Sequence, residues 1–231
     1  MSAGTRSRLL ELQKQHSDQL LTVLTVLLIV MMFVIAPIQA AGFFIAEVEV
    51  FGVVVGLVMI AGVLVISASL TATAIMLVGF SLNVLVVLAR VIKPLPYDLY
   101  LVAAAWFIIV CTLGFVVAQK VFGRGKVSFH RIIGAVLLYL LIALAFVSLF
   151  TLVELRVPNA FSGLVLEDNR KMASNLLYFS FVTLTSTGYG DIFPVHPIAR
   201  SLCNLETIIG QLYPATLLAR LVTLELEGRR R

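Results

Sequence analysis

Forty consecutive residues between Glu49 and Arg90 carry no charged side chain, and this run leaves the chain few possible environments. As a helix it would be about 60 Å long at ~1.5 Å per residue, which is about twice the thickness of a bilayer core. The composition agrees, because 61% of the residues are hydrophobic and 13% are charged. A soluble domain of this size cannot bury that much apolar surface. The sequence therefore predicts an all-α integral membrane protein.

The apolar runs divide the sequence into six predicted membrane spans. The charge-free run must fold as a hairpin with its turn near Ser67-Ala68-Ser69, which gives spans at 49–66 and 70–89. A segment of about 11 residues from Asn175 is too short to cross a bilayer, so it is predicted to be a re-entrant helix between the fifth and sixth spans. The remaining spans are predicted at 20–38, 99–118, 132–153 and 198–226.

Basic residues cluster at the ends of apolar runs, where they set membrane orientation rather than attract nucleic acid. Three clusters predict cytoplasmic regions, and six crossings put both chain ends in the cytoplasm. Arg90 and Lys93 would then be extracellular, against this statistical rule. A cleaved signal peptide is the alternative for the first run, which is longer than a typical signal-peptide core. The clusters are Arg6, Arg8 and Lys14; Lys120, Arg124, Lys126 and Arg131; and Arg220 with Arg229 to Arg231.

The loop TLTSTGYGDIFP, from Thr183 to Pro194, holds one carboxylate and no histidine, cysteine or lysine. Its chemistry is therefore expected to lie in the backbone. A loop at membrane depth is tolerated only where it is buried in protein or lines water. Glycines at 188 and 190 permit positive φ at alternate positions, which points successive carbonyls the same way. Rings of such carbonyls from several chains can replace the hydration shell of K⁺.

The stretch TSTGYGD, Thr185 to Asp191, resembles the selectivity filter of tetrameric potassium channels, in particular bacterial-type subunits with six spans and one pore loop. The resemblance covers roughly Val127 to Leu226. It includes an outer span, a pore helix, the filter, Pro194 three residues past the aspartate, and an inner helix with a glycine.

This resemblance implies a passive K⁺ channel in a prokaryotic plasma membrane. One filter occurs per chain without an internal repeat, so four copies must meet around one axis. The chain is divided into an N-terminal cytoplasmic segment with a four-helix transmembrane domain, 1–126, and a pore domain, 127–231. The expected partners are the lipid bilayer and K⁺, with no nucleic acid and no cofactor other than the permeant ion.

By resemblance, filter carbonyls coordinate K⁺ and the Ser186 hydroxyl completes the innermost site. Thr185, Asp191 and Tyr178 are expected to support the filter. Tyr178 is a candidate donor to Asp191, because the position of a pore-helix glutamate in some bacterial channels holds Val182 here. The family usually has Thr at the position of Ser186 and Val or Ile at that of Thr187, which leaves filter stability and inactivation open. The ion-binding residues are Ser186, Thr187, Gly188, Tyr189 and Gly190.

The inner helix holds the gating candidates. Gly210 lies 22 residues after Gly188 (210 minus 188), where many family members carry a hinge glycine. Pro214 follows one helical turn later and predicts a kink, because proline removes a backbone hydrogen bond. A moving hinge and a fixed bend both remain open. The gate would lie below, among Leu218, Val222 and Leu226.

Glu206 is a third candidate, since it is the only carboxylate between Ile198 and Leu224. An acid at such depth costs about 2.5 to 3.5 kcal/mol on insertion scales unless it faces protein or water. It is predicted to be near the pore helix, within reach of the hydroxyls of Ser180, Thr183 or Thr185. Two interpretations stay open: a structural tie to the pore helix, with the acid protonated, or a charge that tunes K⁺ occupancy or pH sensitivity.

Two other functions are weighed against the sequence. The fourth span contains no arginine or lysine, so a conventional voltage sensor is not expected, and the first four spans remain a scaffold, a lipid or ligand receptor, or a tension sensor. An intramembrane aspartyl protease is the alternative from another class, because its family signatures resemble Gly188-Tyr189-Gly190-Asp191 and Tyr97-Asp98. Catalytic aspartates must lie in helices, however, and Asp191 lies in a loop.

Overall fold

The computed structural model describes residues 19, 21–41, 48–66, 69–93, 97–123, 129–164 and 170–229, and most of them are helical. The predicted segment before residue 19 and the turn residues Ser67 and Ala68 lie outside this part of the chain. The helices are α1 Leu21–Ala40, α2 Val48–Ile66, α3 Leu70–Ile92, α4 Asp98–Phe122, α5 Phe129–Arg156, α6 Arg170–Leu184 and α7 Pro197–Arg229; the strands are β1 Phe161–Ser162 and β2 Phe193–Pro194.

The helix boundaries agree with the sequence to within a few residues at most ends. The predicted break between α2 and α3 is confirmed, and Ser69 caps α3 by accepting a hydrogen bond from the Ala72 amide at 3.5 Å. The helix before the loop 185–191 begins at Arg170 rather than Asn175. The prediction missed this first turn because it followed the apolar run, whereas polar residues also form helix. α7 continues as a helix through Pro214.

Four helices in the described residues are long and apolar enough to cross a membrane: Leu21–Ala40, Leu70–Arg90, Asp98–Phe122 and Phe129–Arg156. The chain is therefore an integral membrane protein. α7 is not one of the four, and its described residues include the polar side chains of Asn204, Glu206 and Gln211. In α2 and α6 the described apolar stretches, Gly52–Gly62 and Met172–Leu184, are shorter. The six-span count and the re-entrant path of α6 therefore stay predictions.

Two apolar cores hold the helices together. The larger one joins α1 to α5, with α4 packed against both α3 and α5, and its fully buried side chains include Met59, Ile109 and Leu137. The smaller one is rich in aromatic residues and includes Ile192, directly after the loop 185–191. There the rings of Phe150, Phe161 and Phe179 pack with centroids 5.2 to 5.3 Å apart. This second core fixes α6 against α5 and β1.

Candidate functional site

The loop after α6 lies on the exposed surface of the subunit and has alternating backbone geometry. Its φ angles are +58° at Ser186, +60° at Gly188 and +82° at Gly190. The alternation predicted at the two glycines is therefore confirmed, and it extends to Ser186. The sequence analysis did not predict positive φ at Ser186, because a residue with a Cβ rarely adopts it. Residues with positive φ at every second position can point successive carbonyl groups toward the same side of the loop.

The start of the loop is folded back on the end of α6. The Val182 carbonyl accepts hydrogen bonds from the amides of Thr187, at 2.9 Å, and Gly188, at 3.4 Å. The Thr185 hydroxyl donates to the Phe181 carbonyl at 2.7 Å and lies 2.8 Å from the Thr187 hydroxyl. The polar group that Thr187 brings to this position is therefore paired within the loop.

The inner helix α7 supports the loop from behind. The Gln211 side-chain amide donates to the Ser186 hydroxyl at 2.8 Å, and the Thr207 hydroxyl donates to the Thr183 carbonyl at 3.3 Å. Sequence reasoning expected the Ser186 hydroxyl at the innermost ion site but did not single out Gln211. Its only signal was an amide side chain in the middle of a predicted span.

Gly210 has a contact that the hinge hypothesis did not include. Gly210 is buried, and a Cβ added to it would lie 1.9 Å from the Leu184 carbonyl oxygen and 2.8 Å from its carbon. Real Cβ atoms are not found so close to backbone. Gly210 therefore lets α7 approach the last residue of α6, directly before the loop. Pro214 is exposed one turn later.

Glu206 of α7 contacts Ser180 of α6, one of the three hydroxyls that the sequence analysis placed within its reach. Glu206 is fully buried, and its Oε1 lies 2.5 Å from the Ser180 hydroxyl oxygen. That hydroxyl also lies 2.9 Å from the Ala143 carbonyl oxygen of α5. Because a hydroxyl has one hydrogen, Ser180 cannot donate fully to both oxygens. A protonated Glu206 that donates to Ser180, while Ser180 donates to Ala143, gives each hydrogen its own acceptor, and Glu206 Oε2 is left without a partner among the described residues.

The C-terminal end of the loop is held by aromatic stacking and by the turn after α5. The rings of Tyr178 and Tyr189 are parallel, with an interplanar angle of 2° and centroids 6.2 Å apart. The Tyr178 side chain also interacts with Asp191, the partner that the sequence predicted for it. Beyond Asp191, β2 pairs with β1 in antiparallel register, Phe161 opposite Pro194.

Two residues that sequence reasoning missed shape the turn after α5. Gly163 has φ +80°, and a Cβ there would lie 2.1 Å from the Asp191 carbonyl oxygen. The buried Glu154 carboxylate accepts hydrogen bonds from the amides of Asn159, at 2.8 Å, and Phe161, at 3.0 Å. The turn after α5 is thereby fixed where it meets the filter-like loop.

Residues 135–226, from α5 through α7, match a family model described as "Ion channel". The protein carries an ion channel domain. No curated protein and no solved structure matches the chain. The matched region contains the loop, its supports Gln211 and Tyr178, and the gating candidates Glu206, Gly210 and Pro214.

An ion channel is not an enzyme, and the protease alternative has no support. The two aspartates that it requires have different neighbours. Asp98 forms an ion pair with Arg90, with Oδ2 and Nε 2.9 Å apart, and accepts a hydrogen bond from the Leu99 amide. Asp191 instead lies in the exposed loop beside Tyr178.

Proposed function

We propose that the ion channel is selective for K⁺ and works as a homotetramer. The observation that supports this best is the left-handed backbone at Ser186, Gly188 and Gly190, in a loop directly after a 15-residue helix. That pattern can align successive carbonyl oxygens toward one axis. K⁺ would be coordinated by carbonyls from Ser186 to Gly190, because such oxygens replace its hydration shell.

The exposure of the loop supports assembly of several copies. All residues from 185 to 191 are exposed in one subunit, Tyr189 to 72%, and no atom lies within 4 Å of a Cβ built on Gly188 or Gly190. At membrane depth, a loop of this kind must face protein or a water-filled pore. Four copies around one axis provide both: each loop packs against its neighbours and lines the pore.

The first four helices are proposed to form a separate domain, 1–126, without a conventional voltage sensor. The distribution of charge supports a proposed orientation in which the filter faces outside and both chain ends face the cytoplasm. The resemblance to bacterial-type channels supports a prokaryotic plasma membrane. The described part of α4 has Lys120 in its last turn and no other basic residue. Steep gating that required several moving charges per subunit would contradict this proposal.

Selectivity is tested by measuring K⁺ and Na⁺ flux through the purified full chain in liposomes. We expect much larger K⁺ than Na⁺ flux in the unmodified protein. Gly188→Ala is expected to abolish the preference, because it introduces no steric contact within its own chain but strains a residue at φ +60° by about 1–2 kcal/mol. Gly114→Ala in α4 is the control, since its Cβ would make ordinary contact with Leu138 at 3.7 Å. Equal K⁺ and Na⁺ fluxes in the unmodified protein would refute K⁺ selectivity.

A further inference from the structure

A cavity of about 280 Å³ lies between the N-terminal helices and the pore half of the chain. Its walls come from α1 to α6 and are mostly apolar, with Met32, Val55, Val110 and Leu144 among them. Small-molecule sites in proteins are typically concave and apolar with a few polar groups, and they start at about 300 Å³. The cavity is close to the lower end of that range.

Asn83 of α3 is the polar group that marks this cavity as a site. Its side chain lines the cavity, only 4% of the residue is exposed, and it makes no hydrogen bond to the residues that the structure describes. A buried amide without partners costs free energy, so native proteins almost always satisfy it. An occupant of the cavity that offers a hydrogen-bonding group removes this cost.

The polar groups near one end of the cavity favour a neutral occupant. Arg90 lines that end, and its charge is balanced by Asp98 at 2.9 Å. Ser148 and Thr151 also line the cavity, and their hydroxyls donate to the Leu144 and Val147 carbonyls of their own helix. Among the described lining residues, the site therefore offers the Asn83 amide and the Ser174 hydroxyl as free polar groups and carries no net charge.

The volume sets the size of the occupant. An apolar cavity of about 150 Å³ holds benzene, so the present cavity holds roughly ten non-hydrogen atoms. We propose that this cavity binds a neutral single-chain amphiphile of the medium-chain alcohol class, whose hydroxyl group bonds to Asn83 and whose chain lies among the apolar side chains. The proposal does not depend on which ion the channel conducts.

Such an occupant touches the helix that leads into the filter. Met172, Leu176 and Leu177 of α6 form part of the cavity wall. Nearby, Phe33 of α1 contacts Phe181 of α6, with ring centroids 4.9 Å apart. A molecule in the cavity is thus held between the N-terminal domain and the pore helix. A change in packing there acts on residues of α6 that lie only a few positions before the filter.

Trp106 makes the proposal directly testable, because it is the only tryptophan of the chain and it lines the cavity. The full chain in lipid nanodiscs is titrated with 8-bromo-1-octanol, whose bromine quenches tryptophan fluorescence on contact. We expect saturable quenching that unlabelled 1-octanol reverses. Asn83→Leu should weaken binding roughly fivefold, which corresponds to about 1 kcal/mol for the lost hydrogen bond. Ser81→Leu, on the exposed face of the same helix, should bind normally.

Two further arms keep the test independent of whether Asn83→Leu folds. The probe 1-bromooctane lacks the hydroxyl, so it should bind the unmodified protein roughly fivefold more weakly than the bromo-alcohol does. Val102→Phe fills the cavity and should remove saturable quenching. Quenching that rises without saturation and is equal in all variants overturns the proposal. So does quenching by dibrominated phosphatidylcholine that 1-octanol does not relieve, because a lipid acyl chain then fills the cavity.

Discussion

At the residue scale, the contact between Gly210 and Leu184 leads to a sharp prediction. Gly210→Ala places a methyl group where the Leu184 carbonyl oxygen lies, 1.9 Å from the ideal Cβ position. That oxygen belongs to backbone, so α7 must move away from the end of α6. We expect the variant to lose K⁺ selectivity or to assemble poorly, measured by ion flux in liposomes and by size-exclusion chromatography.

The same change at Gly114 is the control, because the structure has room for a Cβ there. If Gly210→Ala assembles and conducts like Gly114→Ala, the close contact is not required. A hinge at Gly210 predicts a different result, since alanine would then alter the opening of the channel without affecting its selectivity.

The second residue-scale prediction concerns Glu206. In Glu206→Gln the amide N–H donates to Ser180 as a protonated acid does, so we expect unchanged tetramer stability and unchanged flux at mildly acidic and mildly basic pH. Glu206→Ala leaves Ser180 without this partner and should lower the free energy of unfolding by about 1–3 kcal/mol. Thermal unfolding in detergent and liposome flux at two pH values measure both effects. Altered conductance or pH response in Glu206→Gln would instead support the charge interpretation.

Sequence alone predicted the backbone pattern of the loop better than its supports. Gly188 and Gly190 predict positive φ, because glycine adopts it at low cost. Ser180 was one of three hydroxyls predicted to contact Glu206, since a buried acid needs a hydrogen-bonding partner. The bond from Gln211 to Ser186 and the Gly210 contact depend on how α7 packs against α6. No local pattern encodes that packing.

At the element scale, two arginines bind the C-terminal end of α4. Arg131 of α5 donates to the Lys120 carbonyl at 2.9 Å and to the Gly123 carbonyl at 2.7 Å. Arg220 of α7 donates to the Phe122 carbonyl, and its guanidinium lies 5.1 Å from the centre of the Phe122 ring. Cations at a helix C-terminus stabilise its unpaired carbonyls. The N-terminal helices are thereby connected to the inner helix.

Replacing Arg220 tests this connection. Arg220→Met keeps an apolar stem and removes the guanidinium, so we expect the free energy of unfolding to fall by about 1–3 kcal/mol. The open probability in single-channel recordings should change as well, because α7 loses its contact with α4. Arg156→Met is the control, since Arg156 is exposed at the end of α5. Equal stability and gating of the two variants would contradict a role for Arg220.

The element boundaries were predictable where charges or turn residues bounded an apolar run, as at Ser69 and Asp98. They were less predictable at the start of α6, whose first turn is polar. The sequence analysis interpreted Arg220 and Arg131 only as markers of membrane orientation. Both arginines contact α4. The Arg220 contact joins residues about 100 positions apart in the sequence, so only the tertiary structure shows it.

At the scale of the whole molecule, α7 carries an apolar stripe that is exposed to solvent in the part of a single chain that the structure describes. Leu205, Ile208 and Leu212 are 48%, 54% and 57% exposed, and their spacing of three and four residues puts them on one face of the helix. Lipid can cover such a face. The same face lies on the helix that supports the exposed loop, however, and a ring of loops brings these helices together. We therefore expect the stripe to pack between subunits.

A tryptophan scan of two positions separates these alternatives. The unmodified protein should contain four copies by native mass spectrometry. Ile208→Trp should dissociate them and abolish K⁺ flux, because a closely packed interface does not accept the larger side chain. Leu85→Trp should remain tetrameric and conduct, since Leu85 is 63% exposed on α3 and lipid can adapt around the ring. A tetrameric, conducting Ile208→Trp would mean that the stripe faces lipid. A copy number other than four in the unmodified protein would remove the basis for a fourfold pore, because one loop per chain cannot then form the rings of carbonyls that K⁺ requires.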